Sequence, residues 1–271
     1  MADTRVAVLG ASGRMGRAIL ALLSTTKDMK LVGATASPGS ALLGQDAGLV
    51  TGAACGVLFV ADPERAIASA DAVIDFTVPA TSLRNVEACG AAGKPIVIGT
   101  TGFDQDARNA LEQAALRIPV LLSPNMSVGV NLLYQLAQIA AAALDSEYDI
   151  EIFEAHHRHK RDAPSGTALR IGEVVAAARG TTLAADADYS RSQSSGARRS
   201  GSIGFAVARG GDIVGDHVVT FAGPGERIEL VHRAQDRMAF AQGAVKAARW
   251  LARRPAGMYS MQDVLGLARL D

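Results

Sequence analysis

The sequence predicts an α/β chain in two parts: an open parallel sheet wound with helices, then an α+β part with a mixed or antiparallel sheet. Three observations carry this expectation. Short apolar, β-rich runs alternate with helical stretches through the first half. The second half changes to longer alternating runs joined by glycine-rich turns. A strand, a glycine-rich turn and a helix follow one another at the start.

The run Arg5-Val6-Ala7-Val8-Leu9 has the pattern of a strand buried on both faces. It empties into Gly10-Ala11-Ser12-Gly13-Arg14-Met15-Gly16, and residues 18–23 read as a buried helix face. That order makes a pyrophosphate cradle, because glycines let backbone approach the phosphates while the helix N-terminus meets their charge. The spacing is G-x-x-G-x-x-G, so position between strand and helix carries the reading against an ordinary tight turn. Residues 1–127 are therefore expected to form a Rossmann-type dinucleotide-binding domain. Such a fold usually places an acid for the ribose of NAD about 20 residues on. Here the strand at 30–35 ends in Ala36-Ser37-Pro38-Gly39-Ser40, with no acid. That omission argues against strict NADH selectivity. Ser37, Ser40 and Arg14 are candidates for the 2′-phosphate of NADPH, and the choice between NADPH and NADH stays open.

Further strands are expected at 56–60, 71–77, 95–98 and 120–122. Helices follow Asp62-Pro63, run from Pro79 through Cys89, and follow Asp104. Asp62 and Asp104 read as N-caps, with Pro63 at the first helical position. Ligands of such sheets lie beyond the carboxyl ends of the strands. Phe76-Thr77, Gly99-Thr100-Thr101 and Ser123-Pro124-Asn125-Met126 then share one rim with the glycine turn. Each alone is a strand-ending loop; together they predict a nicotinamide-side lining.

After residue 127 the rhythm changes. Residues 130–139 read as a long helix, and 149–156 alternate like a strand with one wet face. Strands are expected at 202–208, 213–221 and 227–232, joined by Gly210-Gly211-Asp212 and Ala222-Gly223-Pro224-Gly225. The polar stretch 182–201 reads as a long surface loop. Helical spacing returns at 238–251 and 261–267. The expected organisation is a substrate domain over 128–236, with 237–271 packing back on the first domain and a cleft between the two.

Three of the chain's five histidines fall in His156-His157-Arg158-His159, followed by Lys160-Arg161. Pro164-Ser165-Gly166-Thr167 then leads into helical pattern, and a helix start is itself an anion site. A charge run is often only a solvated face. A metal site would spread its ligands over separate turns, and adjacent Arg and Lys would repel the ion. The helix start favours a small substrate carrying more than one carboxylate, served by an imidazole that donates protons near neutral pH and a compact lysine cation.

The chain is 49% hydrophobic, with 27 basic against 27 acidic residues, so nothing favours nucleic acid or an anionic membrane surface as partner. The apolar helix at 132–144 is interrupted by glutamine and falls short of the ~20 residues a membrane span needs. The first residues lack a secretory leader pattern, and Cys55 and Cys89 make no disulfide framework, which together predict a cytoplasmic enzyme. A semialdehyde dehydrogenase would need a nucleophilic cysteine, and neither cysteine is well placed. A non-catalytic dinucleotide sensor would not need the His/Lys set.

The glycine turn at 10–16, Asp75-Phe76-Thr77, Val97-Ile98-Gly99-Thr100-Thr101-Gly102-Phe103, Asn125-Met126-Ser127-Val128-Gly129-Val130-Asn131, the run 151–168 and Gly211-Asp212-Ile213-Val214-Gly215-Asp216-His217 closely resemble the 4-hydroxy-tetrahydrodipicolinate reductase family. The resemblance runs nearly end to end, and the histidine-rich segment is its most specific part. It implies NAD(P)H-dependent reduction of the dehydrated form of 4-hydroxy-tetrahydrodipicolinate, a cyclic dicarboxylate, to tetrahydrodipicolinate in diaminopimelate and lysine biosynthesis. The family's proton-donating histidine falls on His156 and its catalytic lysine on Lys160. Substrate contacts fall on His157, Gly166 and Thr167. Cofactor contacts fall on Gly10, Ala11, Ser12, Gly13, Arg14 and Met15, on Gly99, Thr100 and Thr101, and on Ser123, Pro124, Asn125 and Met126. The family's ribose-reading acid and following arginine fall on Ala36 and Ser37, and this chain has neither. The resemblance also implies a homotetramer assembled through the sheets of the substrate domain.

Overall fold

Runs of Val, Ile, Leu and Ala make the central strands of the first unit, because a strand covered by helices on both faces has no wet side. The computed structural model describes residues 3–191 and 196–269. The chain up to Val128, together with Arg237–Gly266, forms one compact unit; Gly129–Asp236 and the chain end from Leu267 form a second.

The first unit begins with β1 (Thr4–Leu9), α1 (Arg14–Thr25), β2 (Met29–Thr35), β3 (Phe59–Val60) and α2 (Pro63–Ile67). It continues through β4 (Ala72–Asp75), α3 (Pro79–Ala92), β5 (Ile96–Ile98), α4 (Gln105–Ala115) and β6 (Pro119–Leu122). The second unit contributes α5 (Val128–Ala143), β7 (Asp149–His156), α6 (Gly166–Ala178), α7 (Leu183–Asp186), β8 (Ala187–Asp188), β9 (Ile203–Arg209), β10 (Gly215–Gly223) and β11 (Glu226–Ala234). The chain then returns to the first with α8 (Met238–Leu251), β12 (Gly257–Tyr259) and α9 (Met261–Leu265).

The first sheet is ordered β12-β6-β5-β4-β1-β2-β3, and its pairings are parallel. Alternate residues of β1 serve opposite layers. Val6 and Val8 pack with Ile19, Leu20 and Leu23 of α1 and Ala241, Ala244 and Ala248 of α8. Ala7 and Leu9 face the cluster holding Ile67, Val86 and Leu111. Asp62 and Asp104 cap their helices as expected, accepting from the Glu64 N–H at 2.9 Å and the Ala107 N–H at 2.8 Å.

The second sheet is mixed, ordered β11-β10-β7-β9-β8, with β10 antiparallel to β7 and β11 while β9 runs parallel to β7 and β8. Its inner face, including Ile150, Ile152, Phe205, Val219 and Phe221, packs on Leu133, Tyr134 and Ala137 of α5 and Ile171 and Val175 of α6. Its outer face leaves Phe153 and Val231 exposed.

Two expectations need correcting, and one strand was not expected. Within 182–201 the chain makes α7 and the edge strand β8, which pairs Ala187 with Ile203 while the Tyr189 ring lies 5.1 Å from that of Phe205. A two-residue edge strand needs no apolar alternation, which hid it; residues 192–195 of that stretch lie outside the described residues. The strand expected at 56–60 shortens to Phe59–Val60, because Asp46 captures the Gly56 and Cys55 N–H groups and holds them out of the ladder. Strand β12 went unread, being three half-buried residues at the sheet edge.

Candidate active site

In the first unit the strand order turns back at β1, with β2 and β3 on one side and β4, β5 and β6 on the other. Ligands of open parallel sheets bind beyond the carboxyl ends at such a point. Gly10, which follows β1, has φ +75° and donates its N–H to Thr35 Oγ1 at 2.9 Å. The Gly13 N–H closes the turn onto the Gly10 carbonyl at 3.0 Å. Gly13 is also the N-cap of α1 and has no side chain to accept the first helical N–H groups, so the helix start presents donors to an anion. A Cβ on Gly16 would lie 2.3 Å from the Gly10 oxygen, so only glycine seats α1 this close to the loop. This backbone fits a dinucleotide pyrophosphate.

The other predicted cofactor residues divide by side-chain role. Arg14 is exposed and its side chain makes no hydrogen bond or ion pair among the described residues, and Ser37 is exposed after β2. Ala36 is 4% exposed, its methyl inside the core. Ala11, Thr100, Ser123 and Met126 are buried, so their side chains serve the fold. The ring of Phe76 lies against Gly99, where a Cβ would come within 2.2 Å of it. Ser123 Oγ donates to the Asn125 carbonyl at 2.7 Å, and Asn125 Oδ1 accepts from the Ser127 N–H at 2.9 Å. Beneath the rim is buried Asp75, which accepts from Ser82 Oγ at 2.5 Å and the Thr77 N–H at 3.0 Å; Thr100 Oγ1 lies 2.8 Å from Ser82 Oγ. Burial pushes the Asp75 carboxyl up, against those hydrogen bonds.

In the second unit, β7 carries Ile150, Ile152, Glu154 and His156 on one face, by the two-residue period of a strand. That face is core at one end and chemistry at the other. Glu154 Oε2 meets His156 Nδ1 at 2.5 Å, while Oε1 accepts from the Ser165 N–H at 3.0 Å. One carboxylate therefore bridges the imidazole and the N-cap of α6. Arg209 binds both Glu154 oxygens at 2.7 and 2.8 Å, and the Asp162 carbonyl at 2.6 Å. Lys160 Nζ lies 2.8 Å from Asp162 Oδ2. The His217 ring stands edge-on to His156 at 5.2 Å, with Nε2 3.3 Å from Ser165 Oγ.

The electrostatics follow from burial. Burial lowers the pKa of His156, with Glu154 opposing and Lys160 and Arg209 adding to the fall. Burial pushes His217 down to about 3, so it is neutral. At the start of α6, Ser165 Oγ accepts from the Ala168 N–H at 3.2 Å, and the Gly166 N–H has no partner among the described residues. Thr167 hydrogen-bonds buried Tyr134, whose hydroxyl is pushed up to about 12 by burial. His156, Lys160 and the Gly166–Thr167 helix start thus belong to one connected cluster. His157 is half-buried beside exposed Arg158 and His159.

The family model of the dihydrodipicolinate reductase N-terminus matches residues 4–126, and that of its C-terminus matches 129–265. The chain belongs to the dihydrodipicolinate reductase family. The 4-hydroxy-tetrahydrodipicolinate reductase of Thiobacillus denitrificans is 54% identical over 265 residues, covering 98% of this chain and 99% of the relative. That of Cupriavidus metallidurans is 53% identical over 97% and 99%. A solved dihydrodipicolinate reductase from Paenisporosarcina sp. TG-14, described as bound to dipicolinate, has TM-score 0.76 at 24% identity, covering 96% of this chain and 98% of that one, which establishes the fold.

Around the site of this reductase, sequence reasoning missed Glu154, Arg209 and His217. The parity of β7 held the signal for Glu154, since it shares a face with Ile150 and Ile152. Arg209 and His217 come from β9 and β10 and needed the sheet pairing. A cysteine-based mechanism finds no support: Cys89 is buried, its thiol pushed up to about 12 chiefly by burial, and exposed Cys55 Sγ is held by Asp46 Oδ1 at 3.4 Å.

Proposed function

We propose that this reductase reduces the dehydrated form of 4-hydroxy-tetrahydrodipicolinate to tetrahydrodipicolinate. The observation that carries the reading is an imidazole and an open helix start joined through one buried carboxylate, with the lysine linked to it through Asp162 and Arg209. A bound nicotinamide dinucleotide supplies the hydride. The glycine turn would bring its pyrophosphate to the uncapped backbone N–H groups at the start of α1. The loops at Gly99-Thr100-Thr101 and Ser123-Pro124-Asn125-Met126 line it, mainly by backbone where the side chains are buried.

The second unit binds the dicarboxylate. The Gly166 N–H and Thr167 hold one carboxylate at the α6 start, and His157 supports it. Lys160 neutralises charge that builds on the ring as hydride arrives, and His156 delivers the proton. Asp162 competes for Lys160 until substrate draws the ammonium away. Ser37 and Arg14, with no acid at Ala36, make NADPH at least as good a cofactor as NADH. Free cysteines suit a cytoplasmic setting, and among the described residues no helix is long and apolar enough to cross a membrane. The exposed outer face of the second sheet supports a homotetramer assembled through it.

The test is the absorbance of reduced cofactor, NADPH and NADH in parallel, on adding the cyclic substrate generated in place. Substrate-dependent loss of absorbance with NADPH at least as efficient is expected. No loss with either cofactor would overturn the reading, and a strong preference for NADH would overturn the cofactor assignment alone.

A further inference from the structure

We infer that Glu154 is a positioning residue that fixes the proton of His156 on Nδ1, so that Nε2 is the atom that exchanges protons with substrate. The inference rests on the proposed proton-donor role of His156, yet its geometry stands apart from it. Glu154 is fully buried, and each of its oxygens receives hydrogen bonds: Arg209 on both, the Ser165 N–H on Oε1 and His156 Nδ1 on Oε2. Arg209 and a backbone N–H can only donate, so the carboxylate is the acceptor throughout. Burial alone would raise the carboxyl's pKa, but the hydrogen bonds from Arg209, His156 and Ser165 outweigh it and leave Glu154 below the ordinary range. An ionised carboxylate has no proton to give, so the hydrogen on the 2.5 Å contact belongs to Nδ1.

The other nitrogen points elsewhere. A Cβ on Gly215 of β10 would lie 3.0 Å from His156 Nε2, so glycine there keeps that nitrogen clear of side chain. The groups that set its titration are Glu154 on β7, Arg209 on β9, His217 on β10 and Lys160 in the following loop. Only Glu154 among them favours the imidazolium; His217 is neutral and the two cations oppose it. This is the carboxylate–imidazole arrangement by which a buried acid selects a tautomer and stabilises the charged ring. Arg209 keeps that acid ionised, and the Ser165 N–H locks its orientation to the start of α6.

The decisive measurement is nitrogen NMR on the full chain with 15N-labelled histidine, which reads tautomer and pKa without reference to turnover. In wild type, neutral His156 should carry its hydrogen on Nδ1, against the Nε2–H preference of a free histidine side chain, and Nε2 should be the nitrogen that titrates. Glu154→Gln should lower the His156 pKa by about one unit or more, the effect of losing an opposite charge in contact. It should also move the neutral ring towards the Nε2–H form. The falling limb of turnover against pH should move down by the same amount, with kcat reduced on the order of a hundredfold. Glu154→Asp keeps the charge and should return most of the pKa. A wild-type ring with its hydrogen on Nε2 would overturn the inference whatever the variants do. So would an unchanged pKa in folded Glu154→Gln. If tautomer and pKa behave as stated but the limb of turnover stays put, the pair stands and His156 is not the proton donor.

Discussion

His156 and Lys160 share a small volume but differ in their surroundings. His156 lies on a β7 face that is apolar four residues earlier, at Ile152, whereas Lys160 sits in a loop with a carboxylate partner. His156→Gln and Lys160→Ala should each lower kcat by roughly 10²–10³, the scale of a lost acid or charge stabiliser. Dinucleotide affinity, measured by fluorescence titration, should hardly change, because neither residue belongs to the first unit. Near-normal turnover in either variant would remove it from the mechanism. The pH dependence follows from burial. A general acid must be protonated, so activity falls as pH rises through its pKa, and burial holds His156 below its usual value. The fall in kcat/KM, which reports the free enzyme, should therefore be centred below about 6.5. A bound dicarboxylate adds negative charge beside Nε2 and favours the imidazolium, so the fall in kcat should lie at higher pH. Coincident limbs would show that the substrate's charge does not reach His156.

At the scale of elements, the glycine turn before α1 shows how one motif divides its work. Gly16 is a packing residue, because a Cβ there would strike the Gly10 carbonyl at 2.3 Å. Gly13 is exposed, and a Cβ there would meet only that oxygen at 3.2 Å, a contact that small shifts relieve. Gly16→Ala should therefore lower Tm by several degrees, forcing α1 off the loop. Gly13→Ala should leave Tm nearly unchanged but weaken dinucleotide binding about tenfold or more, since its methyl stands where phosphates approach. Calorimetry and cofactor titration on the two variants separate the roles; equal losses of Tm would show that both glycines serve packing. The strand–turn–helix order was readable because it is local, as were the caps at Asp62 and Asp104 and the whole of β7. What escaped reading was non-local. Arg209 reaches Glu154 across 55 positions, a pairing set by the parallel register of β7 with β9. Edge strands β8 and β12 gave no signal because two or three partly buried residues need no alternation.

On the scale of the whole molecule, the two sheets solve the problem of their faces differently. The first is covered by helices on both faces and buries its central strands β4 and β5 throughout. In the second, α5 and α6 cover the inner face, and the outer face presents a cross-strand row in which Val218 pairs with both Phe153 and Val231. Phe153 is 41% and Val231 49% exposed. Large apolar side chains in adjoining register on an open sheet are what a second sheet would cover, and a face-to-face pairing of copies would bury them without moving the catalytic end of the inner face. The sequence carried this only as the expectation of a tetramer, because its alternation marks one face as core but does not say what the other face meets. Val231→Glu would set a charge in the middle of that row. At an interface the glutamates of two copies would be buried together, so the assembly should fall to smaller species by light scattering after gel filtration, with secondary structure by circular dichroism unchanged. On a solvent-facing surface the same glutamate would be harmless, and an assembly of unchanged mass would show that subunits meet elsewhere. Wild-type protein that runs as a monomer would overturn the tetramer outright.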